Sequence, residues 1–280
     1  MRLATINTER GTRAAILENG CAQVLALDDV GAVLTAVERG ESLGSMVREE
    51  ELDPRQVQFL PPVVRPEKVV CVGLNYHAHA AEANLPIPQH PLLFPKYARA
   101  LVGAGSDILI PPETQRCDWE AELALVIGKT VRRIGSAQAL DAVAGYTVMN
   151  DISMRDWQKH TSQMMPGKTF ESSTPVGPWL VSPEEVDHAR NLRLTCSVNG
   201  REMQRTSTGD MIFSPAEVIA YISTIMTLVP GDVIALGTPA GIGSTRTPPV
   251  FLQPGDLVVT ECEGIGVLQN RCVAETIDED

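Results

Sequence analysis

The sequence is short of the features that mark several large function classes. Basic residues number 23 against 35 acidic ones, a formal net charge of -12, and Arg132-Arg133 is the longest pure basic run. A nucleic-acid binder needs a cationic face to displace counterions from phosphates; none can be assembled here. No apolar run approaches the roughly 20 residues that span a bilayer. The stretch from Met1 to Asn7 gives way to Glu9 and Arg10 before reaching signal-peptide length, so a cytoplasmic protein without membrane or nucleic-acid partners is expected. The six cysteines (Cys21, Cys71, Cys117, Cys196, Cys262 and Cys272) form no C-x-x-C pair. That argues against a cysteine zinc site and for reduced, buried thiols. There is no fixed-period repeat. A phosphate-binding loop is missing too: Gly167-Lys168-Thr169 has Ser162, and Gly128-Lys129-Thr130 has Leu123, where the loop needs its first glycine.

What is present is an ordinary globular composition, 44% apolar and 21% charged over 280 residues, enough for one large domain or a large and a small one. Alternating patterns at 2–5, 14–17 and 24–27 predict short strands, and residues 28–38 have helical spacing. Leu60-Pro61-Pro62 interrupts regular structure. We therefore expect a small N-terminal α/β domain at 1–62 and a larger domain at 63–280. The larger part reads as mostly β, with strands at 69–72, 92–94, 108–110, 121–127, 192–198, 233–236 and 257–262 and a hairpin turn at Asn199-Gly200. One helix is well announced: Ser214, Pro215 and Glu217 predict a capping box, followed by an apolar face of Val218, Ile222 and Ile225. The fold class expected is α+β, predominantly β, without the strand–helix rhythm of a doubly wound sheet.

Five segments carry possible chemistry. In Asp118-Trp119-Glu120-Ala121-Glu122, a strand puts Glu120 and Glu122 on one face. Their repulsion would be relieved by a hard divalent cation, although an isolated E-x-E more often faces water. Asp151, at the end of a strand, could be a third carboxylate ligand or a helix cap. Arg155 and Gln158 are one helical turn apart and could grip a carboxylate together, or form a solvated polar stripe. His79 and Glu82 are at i and i+3, where a carboxylate can raise the basicity of an imidazole; the plainer reading is an exposed ion pair, and His77 competes for the role. Lys168 could be a loop lysine or the cation that balances an anionic site. The turn from Gly237 to Gly243, with Thr238, offers backbone N–H groups suited to a carboxylate but lacks the G-x-G-x-x-G order.

Taken together and in order, these segments resemble the fumarylacetoacetate hydrolase family, in its shorter branch. The likeness runs through 73–82, 118–128, 145–158, 168–179, 199–204, 230–243 and 254–270, nearly all of the chain after residue 60. The resemblance implies a mixed-sheet β-roll, commonly dimeric, hence a homodimer. It implies Mg2+ or Mn2+ held by Glu120, Glu122 and Asp151, a water-activating pair of His79 and Glu82, and Lys168 as a catalytic or substrate-polarising cation. Arg155, Gln158 and Thr238 would hold the 2-oxo acid end of the substrate. Two departures from the family pattern, Ser172-Ser173 and the proline in Phe94-Pro95-Lys96, imply an altered pocket shape.

The expected activity is hydrolysis of the carbon–carbon bond of an acylpyruvate-like 2,4-dioxo acid such as fumarylpyruvate, with a pyruvate enolate as leaving group and the cation as electron sink. The alternatives are decarboxylation of oxaloacetate or isomerisation of a 2-hydroxydienedioate in the same site. A non-catalytic 2-oxo acid binder is a third reading, which the His79–Glu82 pair argues against.

Overall fold

The structure, a computed structural model, describes residues 1–276. Its strands gather into a 12-stranded sheet and a five-stranded sheet, with a short pairing of Cys117–Asp118 against Ser153–Met154. The path through the large sheet is Arg48–Leu52, Cys21–Leu25, Gly11–Glu18, Arg2–Thr8, Thr174–Val181, Val143–Asn150, Ala121–Ile127, Val233–Ala235, Val69–Gly73 and Leu92–Lys96. Val233–Ala235 and Val69–Gly73 run parallel, while Ala121–Ile127 is antiparallel to both its neighbours. The small sheet comprises Arg201–Ser207, Arg193–Val198, Leu257–Cys262, Gly266–Ala274 and Ile108–Ile110. The strand-rich, mixed-sheet class expected from the sequence is therefore present.

The strand Ala121–Ile127 is buried at every position. Leu123, Leu125 and Ile127 pack with Leu194, Cys196, Val258 and Leu268 of the small sheet. Ala124 and Val126 share the opposite cluster with Val30, Val33 and Leu34 of the helix Val30–Glu38. Successive side chains point to opposite faces, and a strand covered on both faces reads as an unbroken apolar run.

The first 62 residues share this architecture. Arg2 and Leu3 pair with Val181 and Leu180, so the N-terminal strands extend the large sheet. Asp29 caps the helix Val30–Glu38 through Ala32 N–H at 2.8 Å and takes Val64 N–H at 3.0 Å on its other oxygen. Pro95 lies in Leu92–Lys96, which ends the sheet path and pairs with Val69–Gly73; an edge strand tolerates a missing N–H.

The helix Pro215–Ile225 has the full capping box, but its face differs from expectation. Val218, Ile219 and Ile222 are buried, whereas Ile225 is 53% exposed. Ile225 ends the helix, and the chain leaves in extended conformation at Met226, beyond reach of the core. The third strand also begins earlier than expected, at Cys21, because Cys21 pairs with Glu18 across the turn.

Register decides where the functional segments meet. Ala121 pairs with Asn150, so the start of one strand lies beside the end of the other, and Asp151 N–H donates to Glu120 C=O at 2.8 Å. Ala124 pairs with Ala235, which sends Gly237 to the same end of the sheet. The parallel strand Val69–Gly73 also finishes there and leads into the helix His77–Glu82. Four chain segments thus converge at one rim.

Candidate active site

Glu120, Glu122 and Asp151 come together at this rim. Each offers a carboxylate oxygen within 4.8 Å of the others, and all three are buried. Glu120 is held by its backbone, whose N–H donates to Asn150 Oδ1 at 2.9 Å, while Asn150 in turn donates to Thr260 at 2.9 Å. Glu122 Oε2 accepts Gly237 N–H at 2.8 Å. Gly237 has φ +93°, and a Cβ there would lie 2.8 Å from the Asn75 Cβ and 2.9 Å from Val72 O. Only glycine fits that approach.

The cations come from distant segments. Lys168 Nζ donates to Glu120 Oε2 at 2.6 Å and to Asp151 Oδ2 at 2.8 Å. Arg155 Nη1 lies 2.6 Å from Glu120 Oε1 and donates to Gln158 Oε1 at 3.1 Å. Lys96 Nζ donates to Asp151 Oδ1 at 2.7 Å and to Ile152 C=O at 3.2 Å. Asp151 is thus an ion-pair partner of two lysines and caps no helix. Lys168 is a buried cation of the site, not a solvated loop residue.

The carboxylates are driven apart electrostatically. Burial works against ionisation of Glu120, but Lys168 and Arg155 outweigh it and hold the group down to about 2. Burial, reinforced by Asp151 and Glu120, pushes Glu122 well above the carboxylate range. Lys168 is held above its ordinary value: burial opposes its charge, and Asp151 and Glu120 overcome that. An all-oxygen donor set in which two carboxylates oppose the ionisation of the third suits a hard divalent cation, which supplies the missing positive charge. The residues present fit Mg2+ or Mn2+.

His79 Nδ1 lies 3.4 Å from Glu82 Oε2, and Glu82 Oε1 accepts Gly241 N–H at 3.0 Å. His77 is exposed at the start of the same helix. Thr238 donates its hydroxyl to Ala121 C=O at 3.0 Å and accepts from Gln204 Nε2 at 2.9 Å. A cavity of about 190 Å³ joins these groups. His79, Glu120, Glu122, Arg155, Gln158, Lys168 and Thr238 line it, with Leu74, Leu85, Leu92, Phe94 and Met164 as its apolar wall. Asp151 reaches it through Lys168, and Glu82 stands behind His79.

Residues 68–273 match the family described as fumarylacetoacetate (FAA) hydrolase C-terminal. The chain belongs to the fumarylacetoacetate hydrolase family. A relative named oxaloacetate tautomerase FAHD2A, mitochondrial, from Bos taurus is 46% identical over 245 residues, 85% of this chain and 78% of that protein. Among solved structures, 2-hydroxyhepta-2,4-diene-1,7-dioate isomerase from Mycobacterium marinum superposes with a TM-score of 0.81 at 34% identity, covering 99% of this chain and 100% of the other. Fumarylacetoacetate hydrolase from Exiguobacterium antarcticum gives 0.85 at 33% identity, over 98% and 100%.

Two site residues escaped the sequence reading. Lys96 was visible only as the end of Phe94-Pro95-Lys96, and nothing local pointed to its partner Asp151. Asp118 stands two residues before Glu120 in the same acidic cluster, yet its partner is Arg155, at 2.8 Å from Nε to Oδ2.

Proposed function

We propose that this family member is a divalent-cation-dependent enzyme that tautomerises oxaloacetate or a similarly small 2-oxo diacid between its enol and keto forms. The observation that carries this reading is the size and lining of the cavity. At about 190 Å³ it falls below the roughly 300–1,000 Å³ of sites for drug-sized ligands, which suits a substrate of a few carbon atoms. The tautomerase names of relatives at this level of identity support the same choice.

Glu120, Glu122 and Asp151 would hold the cation, Mg2+ or Mn2+, which when bound supplies Lewis acidity toward the 2-oxo acid end of the substrate. Counted as ionised, these three and Asp118 bring four negative charges, and Lys96, Lys168 and Arg155 bring three positive ones. A doubly charged ion turns that deficit into a net positive charge, which draws in a dianion. Arg155, Gln158 and Lys168 bind the carboxylate and the 2-oxo oxygen. His79, oriented by Glu82, moves a proton between the adjacent carbon and that oxygen. Thr238 shapes the wall with backbone-anchored geometry.

Acylpyruvate hydrolysis is the second reading, favoured by the apolar wall of Leu85, Leu92, Phe94 and Met164, which suits an acyl group. There His79 would take its proton from water instead. Cys21, Cys71, Cys117, Cys196, Cys262 and Cys272 are all unpaired, which supports a reducing compartment, the cytoplasm or an organelle matrix. A homodimer is the assembly we propose from the family.

The test follows the enol absorbance of oxaloacetate, and in parallel the release of pyruvate from oxaloacetate and from acylpyruvates, with Mg2+ and with Mn2+. We expect accelerated enol decay without pyruvate release from oxaloacetate. Pyruvate release from an acylpyruvate at a higher kcat/KM, with no effect on the enol, would replace tautomerisation by hydrolysis.

A further inference from the structure

Asp118 takes no part in the chemistry above, yet it is fully buried and engages four donors. Its Oδ1 accepts the N–H groups of Trp119 at 2.9 Å and Gly243 at 2.7 Å. Its Oδ2 accepts Ser244 N–H at 3.0 Å and Arg155 Nε–H at 2.8 Å. Arg155 is itself 5% exposed, and its guanidinium is divided in a telling way. Nε is spent on Asp118, and Nη1 on Glu120 and Gln158. Nη2 is buried and has no acceptor among the described residues.

A planar fork pinned at Nε and Nη1 has no freedom left to rotate. Its one unsatisfied edge belongs to a residue that lines the cavity, and a buried donor without an acceptor is costly unless a ligand supplies one. We propose that Asp118 is the positioning residue that aims Arg155, so that Nη2 meets the carboxylate of the substrate. The loop 241–244 is part of the device. Gly241 N–H holds Glu82 while Gly243 and Ser244 hold Asp118, so one loop sets both the base pair and the anion anchor. Gly243 has no space for a side chain: a Cβ there would stand 2.7 Å from Asp118 Oδ1.

This inference rests on the reading that the cavity takes an anionic 2-oxo acid, and its test uses oxalate so that binding is read apart from turnover. In Asp118→Asn the volume is kept, but a carboxylate that served four donors becomes an amide with one acceptor oxygen. With Mg2+ present, we expect KM for oxaloacetate to rise at least tenfold, kcat to change less than threefold, and the calorimetric dissociation constant of oxalate to rise in parallel with KM. Arg155→Lys should weaken oxalate similarly, and the double variant should be no worse than Arg155→Lys alone, because Asp118 acts through Arg155. Unchanged oxalate affinity in a folded Asp118→Asn, or additive losses in the double variant, would overturn the proposal.

Should Asp118→Asn fail to fold, NMR of the wild-type protein gives the answer. The Arg155 Nε–H signal should be protected from water exchange before oxalate is added, and the Nη signals should shift on adding it with Mg2+. A rapidly exchanging Nε–H overturns the assignment. Oxalate bound normally by a wild-type protein that leaves oxaloacetate untouched would sink the functional reading and spare this one; wild type that binds no oxalate sinks this one.

Discussion

Lys96 and Asp151 form an ion pair 2.7 Å long in which neither side chain has any exposed surface. Both charges have been removed from water; Asp151 is the one carboxylate paired with Lys96 among the described residues, while Asp151 also accepts from Lys168 at 2.8 Å. Lys96 lies on the edge strand Leu92–Lys96 and Asp151 follows Val143–Asn150, so the pair ties the rim of the sheet to the carboxylate cluster. Replacing Lys96 by Met should leave Asp151 with Lys168 alone and destabilise the protein by about 1.5–3 kcal/mol, the loss of one hydrogen bond to a charged group. Urea unfolding measures this. A variant with an unchanged midpoint would show that the pair contributes nothing.

How much of this was legible in the sequence depends on how far each partner lies along the chain. The strand Ala121–Ile127, the Ser214–Glu217 capping box and the Asn199-Gly200 turn were readable because each is a local pattern; the turn residues take φ of 51° and 77°, as a two-residue hairpin requires. The sheet order was not readable, since Arg2–Thr8 finds Thr174–Val181 across most of the chain. The acidic cluster could be seen as Glu120 and Glu122, and Lys168 could be named as a candidate cation for it, but Lys96 and the pairing of each cation with its carboxylate could not. Lys96, Arg155 and Lys168 reach those carboxylates only because strand register puts their segments at one rim. Asp118 was hidden for a related reason: its partner Arg155 lies 37 residues further along the chain and reaches it only once the intervening strands have paired.

Glu122 offers the cleanest handle on the cation. Glu122→Gln keeps the volume and the acceptor for Gly237 N–H but removes one ligand charge. Wild-type protein with Mn2+ at about 100 times its dissociation constant should gain about 2.7 kcal/mol of stability, and chelation should reverse the gain. The variant should show no such gain at the same Mn2+ concentration while its metal-free fold persists. Thermal unfolding with and without Mn2+ checks this; an equal Mn2+ shift in both proteins would remove Glu122 from the ligand set.

Asp156 gives a pH-dependent stability whose sign can be worked out. Burial acts to raise this carboxyl, but the hydroxyl of Thr114 and the N–H groups of Gln115 and Trp157 hold it below its usual value. A depressed pKa in the folded state means that the stabilisation is present above the unfolded value of about 3.9 and is lost as pH falls through the folded one. Asp156 is only partly buried, so solvent screening weakens these contacts, and Asp156→Asn should cost about 1 kcal/mol or less at pH 7. The gap to wild type should close below about pH 4. Denaturant titrations at pH 7, 5 and 3 report it, and a gap that stays constant with pH would mean that the charge of Asp156 is irrelevant.

His79 separates proton transfer from binding. It lines the cavity together with the ionic groups but touches neither lysine nor Arg155 in the hydrogen-bond network, and its partner is Glu82 at 3.4 Å. A positioned general base contributes typically 10²–10⁴-fold, so His79→Ala should lower kcat by about that factor while Mg2+ and oxalate affinities stay near wild type. Glu82→Gln should have a smaller effect on kcat, since the amide oxygen can still take up Gly241 N–H and keeps the volume beside His79. Activity retained in His79→Ala would hand the proton step to another group, and Lys168, a buried cation that lines the same cavity, would be the first to examine. Loss of oxalate binding in the same variant would instead place His79 among the groups that hold the substrate, so the two measurements together fix its role.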